Sequence, residues 1–192
     1  MDTLKSFKSC SESIQKKARP HVIITTMEDP EVLDECSRLE RKDAVVTYLD
    51  PITTGRVEVA MIENELKENT ELISVTAANC QTGTSEPFTG IGTMTSEKGV
   101  IFHTDAAFAF GKMPINVERS HIDLLTADAS YFGGPENAGI FICKKEHRSW
   151  RICVRNCIKR RNINSDVRYG RKFSSKGNNI YGRNPSSQKS YV

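Results

Sequence analysis

No apolar run in this sequence is long enough to cross a bilayer, so a helical membrane protein is excluded and no membrane partner is expected. The first twenty residues, MDTLKSFKSCSESIQKKARP, lack an apolar core segment, and no secretory signal is expected. The six cysteines fall at irregular spacings. Such spacing argues against a disulfide framework and predicts reduced thiols in a cytoplasm or an organelle matrix. A zinc site is not expected either, because Cys153 and Cys157, with His147 nearby, lack a fourth ligand.

What is present is an ordinary globular composition, 38% apolar over 192 residues. That length accommodates one domain, or one domain and a tail. The formal net charge of +3 conceals an asymmetry. Residues 1–143 hold 13 Lys+Arg and 22 Asp+Glu, a balance of −9, whereas residues 144–192 hold 14 and 2, a balance of +12. This break divides the chain into a basic N-terminal segment (1–20), a globular part (21–145) and a basic tail (146–192) expected to be disordered. A tail of that charge offers a surface for nucleic acid or another polyanion. The blander explanations are a solvated tail or the product of a reading-frame change.

Within the globular part, strand and helix patterns alternate. Residues 1–20 read as a surface helix ended by Pro20. HVIITT (21–26), AVVTYL (44–49), LISVTA (72–77), VIF (100–102), IDLLT (122–126) and GIFIC (139–143) read as buried strands. Asp29 is placed to cap a helix that has Pro30 in its first turn and Val32, Leu33, Cys36 and Leu39 on one face. Val59, Ile62 and Leu66 mark a second helix, and residues 87–98 a third, weakened by Gly90 and Gly92. The predicted class is α/β with a mainly parallel sheet flanked by helices.

VIFHTDAAFAFGK (100–112) carries the first chemical signal. A buried strand delivers Asp105 at its end, and Ala106, Ala107 and Ala109 follow. An acid at a strand's carboxyl end, beside small residues, sits where open α/β sheets bind ligands. The ordinary alternative is a loop aspartate that caps the next segment.

Four stretches carry a resemblance in order: HVIITTMEDPEVLDECSRLE, VTYLDPITTGRVEVAMIENELKENTELISVTAANCQTGTSEP, GVIFHTDAAFAFGKMPINV and HIDLLTADASYFGGPENAGIFICKK. HTDAA followed by GK, with IDLL before a Gly-Pro turn, resembles the cysteine desulfurase and selenocysteine lyase family. That family belongs to the class-V aminotransferases, pyridoxal phosphate (PLP) proteins of fold type I. The resemblance covers about residues 21–145 and implies the central part of a fold type I large domain. It implies PLP as cofactor, and removal of sulfur from L-cysteine to give alanine and an enzyme persulfide for iron–sulfur cluster assembly.

Carried over residue by residue, the family pattern is mostly broken. Asp105 matches the acid that pairs with the pyridinium nitrogen, and an ionised carboxylate there keeps the ring an electron sink. Asn79 and His103 are the other candidate cofactor contacts. The ring-stacking histidine of a Glu-His pair becomes Asp29. The second of two paired asparagines becomes Cys80, followed by Gln81 in place of an acid. The glutamine three residues after the key aspartate becomes Phe108. Ser-Gly-His-Lys becomes Asp128-Ala129-Ser130-Tyr131, so Tyr131 stands at the Schiff-base lysine and no catalytic residue is expected. A phenol cannot form that bond, and Asp128 puts negative charge where the phosphate would bind.

The resemblance places the family's first strand and phosphate loop before residue 1, and finds no match for its mobile cysteine loop. It also leaves GIFIC as an exposed sheet edge unless a dimer or the N-terminal segment covers it. The expectation is a desulfurase-like chain that lacks the family's catalysis by itself. The alternatives are a non-catalytic subunit or truncated product, as homodimer or as heterodimer with a full-length desulfurase, and a basic-tailed polyanion binder.

Overall fold

The computed structural model describes residues 19–134, 138–145 and 149–156, the last eight as backbone only. The helix expected over 1–20 and the tail beyond 156 lie outside these residues, apart from Arg19 and Pro20. Among the described residues seven strands form one sheet: β1 (His21–Thr25), β2 (Val45–Leu49), β3 (Thr70–Ser74), β4 (Ile101–Asp105), β5 (Leu124–Asp128), β6 (Ala138–Lys145) and β7 (Ser149–Asn156). Their spatial order is β2-β1-β3-β4-β5-β6-β7. The first five strands pair in parallel. β6 and β7 run antiparallel to their neighbours.

Continuous apolar runs are what parallel strands covered on both faces require. β1 is buried at all five positions. Val22 and Ile24 pack on one face with Val32, Cys36 and Leu39 of α1 (Pro30–Glu40). Ile23 packs on the other face with Ile62 of α2 (Val59–Asn64) and with Ile91 and Met94 of α3 (Phe88–Lys98). The three helices thus enclose the sheet from both sides.

The helix ends follow their local chemistry. Asp29 caps α1 by accepting from the Glu31 amide at 2.9 Å, with Pro30 in the first turn. Gly99 ends α3 in the left-handed conformation at φ 71°, which glycine adopts without the Cβ penalty. Gly92 of α3 is needed for a different reason. A Cβ there would overlap the Ser120 carbonyl, so the helix can lie against that loop only without a side chain.

Two expectations change. GIFIC is not an edge, because β7 pairs with β6 from Ala138↔Asn156 to Lys145↔Ser149. β7 also lies inside the stretch expected to be a disordered tail. Its sequence, SWRICVRN, alternates Trp150, Ile152 and Val154 with Arg151, Cys153 and Arg155, the period of a strand under a basic composition. Asp123 of the IDLL motif serves the sheet. Its Oδ2 accepts from the Phe102 amide at 3.0 Å, and its Oδ1 pairs with Lys144 Nζ at 3.0 Å.

Candidate functional site

β1 lies between β2 and β3, so the chain leaves it in opposite directions at its two neighbours. Open α/β sheets bind ligands at such a reversal, outside the carboxyl ends of the strands. A cavity of about 320 Å³ lies there. The loops after β1, β3, β4 and β5 all reach it, bringing residues 27–31, then 76 and 78–81, then 105, 107 and 108, then 128 and 131.

Among the described residues its lining is acidic: Glu28, Asp29, Glu31, Asp105 and Asp128 reach it, and no described lining residue is Lys, Arg or His. Two of the acids are sunk in the protein. Glu28 is 5% exposed. Its Oε1 accepts from the Thr25 hydroxyl at 2.9 Å and the Thr76 amide at 2.7 Å, while Oε2 has no partner. Burial pushes its pKa up to about 8, against those hydrogen bonds and with some help from Asp105.

Asp105 is 7% exposed. Its Oδ1 accepts from the Ala107 amide at 2.9 Å and the Thr126 hydroxyl at 3.4 Å. The ordinary capping role is therefore fulfilled by Oδ1. Burial raises its pKa to about 6, opposed by the Ala107 amide and reinforced by Asp29. Asp128 behaves differently. Partial burial pushes it up, but hydrogen bonds from the Ser130 hydroxyl and amide, at 2.6 and 2.8 Å, bring it below the usual carboxylate range.

The other two candidate contacts are otherwise engaged. Asn79 reaches the cavity, but its Oδ1 accepts from the Gln81 and Thr82 amides and its Nδ2 donates to the Met27 carbonyl. It holds its own loop. His103 does not reach the cavity. It is fully buried one step below Asp105 on the same face of β4, between Ser74 Oγ at 2.8 Å and Thr126 Oγ1 at 3.2 Å. Burial drives its pKa down to about 3, so the imidazole is neutral. Its influence on Asp105 passes through Thr126, which touches both.

Tyr131 and Phe108 form the aromatic wall, with ring centroids 4.2 Å apart and planes tilted by 45°. Tyr131 is 45% exposed, and its phenol is raised by burial and by Asp128, Asp29, Cys80 and Asp105. Lys112 approaches the same wall, its Nζ 5.8 Å from the Phe108 centroid. Glu28 carries no signal in the sequence that separates it from an acidic residue before a helix. Only the distant Thr76 amide reveals its place.

Among the described residues no group of three or more potential ligands is arranged for a metal, and no helix is long and apolar enough to cross a membrane. The cavity does not fit PLP. Its described lining offers no lysine amine, and Asp29, Glu31, Asp105 and Asp128 bring negative charge to the space that a phosphorylated anion would enter.

Comparison with known proteins gives a consistent result. The family model for aminotransferase class-V matches residues 5–151. The cysteine desulfurase IscS of Shewanella piezotolerans is 36% identical over 143 residues, 74% of this chain and 35% of its own length. The putative cysteine desulfurase IscS 1 of Bacillus subtilis is 38% identical over 126 residues, 66% of this chain and 33% of its own. Among solved structures, SspA in complex with cysteine superposes with a TM-score of 0.66 at 31% identity, over 71% of this chain and 41% of that one. A NifS-like protein gives 0.69 at 28% identity, over 74% and 40%. The chain spans about a third of the length of the curated relatives it matches.

Proposed function

The chain belongs to the class-V aminotransferase family, on its cysteine desulfurase side, and from that premise we propose that it is a non-catalytic member which keeps the family's sheet and cavity without its covalent chemistry. Family membership implies PLP. The observation that supports the proposal is Tyr131 at the cavity wall, 4.2 Å from the Phe108 ring, the residue that the resemblance aligns with the lysine. A phenol offers no amine to condense with an aldehyde. Asp29 and Asp128 work in the same direction, because both replace groups that favour the cofactor with carboxylates that repel its phosphate. Desulfuration of L-cysteine for iron–sulfur cluster assembly then falls to a complete desulfurase, and this chain acts beside one, as heterodimer or as homodimer, in the cytoplasm or an organelle matrix.

The test is direct. The purified chain is mixed with PLP, its visible spectrum recorded, and the sample reduced with borohydride before peptide mass mapping. The expected result is no Schiff-base band and no fixed adduct. An adduct trapped at one lysine, for which Lys112 is the nearest suspect at the wall, would overturn the proposal. Co-purification with a full-length desulfurase that persists in high salt supports the subunit role. Binding to a polyanion that falls steeply with salt would instead favour the reading in which the +12 segment is the working part.

A further inference from the structure

We infer that the chain closes its own cavity: the segment CIKRR (157–161), which follows β7, docks across the mouth and sets Lys159, Arg160 and Arg161 against the acids at the ends of β1 and β5. The inference goes beyond the non-catalytic reading, because it concerns what occupies the cavity and not which chemistry the cavity lacks.

Three observations converge on it. The first is where β7 ends. Asp128 of β5 pairs with Gly139 of β6, and Gly139 pairs with Arg155 of β7. Two antiparallel steps turn β7 back to the direction of β5. Its last residue, Asn156, therefore emerges at the carboxyl ends of the parallel strands, where the cavity lies. Two strand spacings, roughly 10 Å, separate Arg155 from Asp128. Five residues beyond Asn156 span up to roughly 17 Å when extended, so the segment reaches Asp128 and the mouth. The second observation is charge. Residues 157–192 hold 9 Lys+Arg and 1 Asp+Glu, a balance of +8, and three of the nine fall together at 159–161. The lining acids Asp29 and Glu31 are exposed, and no described lining residue is basic. The third is Glu28, which lines the cavity, is 5% exposed and has no partner for Oε2. Oε1 already accepts two hydrogen bonds, so the proton of the neutral acid sits on Oε2 and lacks an acceptor. A buried donor left unmet is costly. It points to an occupant that brings an acceptor oxygen, as a peptide carbonyl does. A bare cation supplies charge without an acceptor, and an anion supplies acceptors with the wrong charge. A basic peptide supplies both, and this chain carries one at the rim.

The experiment uses the full chain without PLP. A neutral maleimide labels Cys80, an exposed thiol in the cavity lining, and the rate is read by peptide mass mapping. The comparison is the full chain carrying Lys159→Gln, Arg160→Gln and Arg161→Gln together. These positions lie beyond the last described strand, and an unchanged circular dichroism spectrum confirms that the sheet is intact. At low salt the variant is expected to label at least about threefold faster, the scale of a few exposed ion pairs. High salt is expected to speed the unaltered chain towards the variant, because it screens such pairs. In parallel, a carbodiimide is expected to join Lys159 to Asp128. An equal mixture of ordinary and heavy-isotope chains shows whether the two linked residues come from one molecule.

Equal labelling of Cys80 in the two chains at low salt overturns the inference. So does the absence of any crosslink between Lys159 and an acid of the cavity. Crosslinks that join ordinary to heavy chains give the docking segment to a second copy and overturn closure by the chain's own tail. The two proposals fail separately. A PLP adduct at a lysine sinks the non-catalytic reading, whereas an unchanged labelling rate in the PLP-free sample sinks this one.

Discussion

Replacing Glu28 with Gln should make the protein more stable in mild alkali and leave it almost unchanged in weak acid. Glu28 has an ordinary pKa of 4.5 that burial raises to about 8. In the unfolded chain the carboxyl loses its proton first, so between these two values the folded state holds more protons. Stability therefore falls as pH rises through that window and levels off above it. Each unit of difference is worth about 1.4 kcal/mol, so the penalty is under about 1 kcal/mol at pH 5 and about 4 kcal/mol at pH 8. Gln keeps an oxygen where Oε1 accepts from the Thr25 hydroxyl and the Thr76 amide. It does not titrate. Its amide nitrogen lacks an acceptor, but so does the hydroxyl of the protonated acid, and those costs nearly cancel. The variant's advantage should thus grow by roughly 3 kcal/mol from pH 5 to pH 8, a large share of the total stability of a domain this size. Urea denaturation followed by circular dichroism at both pH values measures it. Stability differences that agree at the two pH values within about 0.5 kcal/mol would refute the titration argument.

The remaining expectations concern the sheet and its helices. His103 has the opposite sign, since its pKa is held at about 3 against 6.5. The unfolded chain takes up a proton that the folded chain refuses, so stability falls as pH drops below 6.5. Between pH 7 and 5 that loss is about 2 kcal/mol, and His103→Gln should flatten the slope in the same denaturation assay. Gly92→Ala should lower stability by about 1–3 kcal/mol despite alanine's helix propensity, because the new methyl meets the Ser120 carbonyl. Gly90→Ala, whose methyl meets only the Val59 side chain, should cost under about 1 kcal/mol; equal urea midpoints for the two variants would contradict the close packing of α3.

The parallel strands were legible because burial on both faces leaves an uninterrupted apolar trace, as in HVIIT and LLTAD. The place of Asp105 at a strand end lining the cavity was legible too. His103 was misplaced because it shares a face with Asp105, and alternation alone does not tell the rim of a sheet from the layer beneath it. Glu28 was invisible: its buried state depends on the Thr76 amide, 48 residues away. β7 was hidden by composition, because arginines between Trp150, Ile152 and Val154 read as a solvated tail until a partner strand is found. The one-sided charge of the cavity is likewise a product of topology, which gathers acids from four separate loops.

The β6–β7 pairing has a consequence for the order in which the molecule assembles. β1 meets β3 through His21↔Thr70 and β2 through His21↔Val45, so the parallel strands join across long intervening segments. β6 and β7 meet at Lys145↔Ser149 and zip outward from there. Local hairpins close in about 1–10 μs, whereas non-local parallel pairing is intrinsically slower. During translation, however, the hairpin is the last of these elements to emerge. The ribosome must release residue 156 before the seventh strand exists, and until then the nascent sheet waits for its final border, which then arrives as a unit ready to dock.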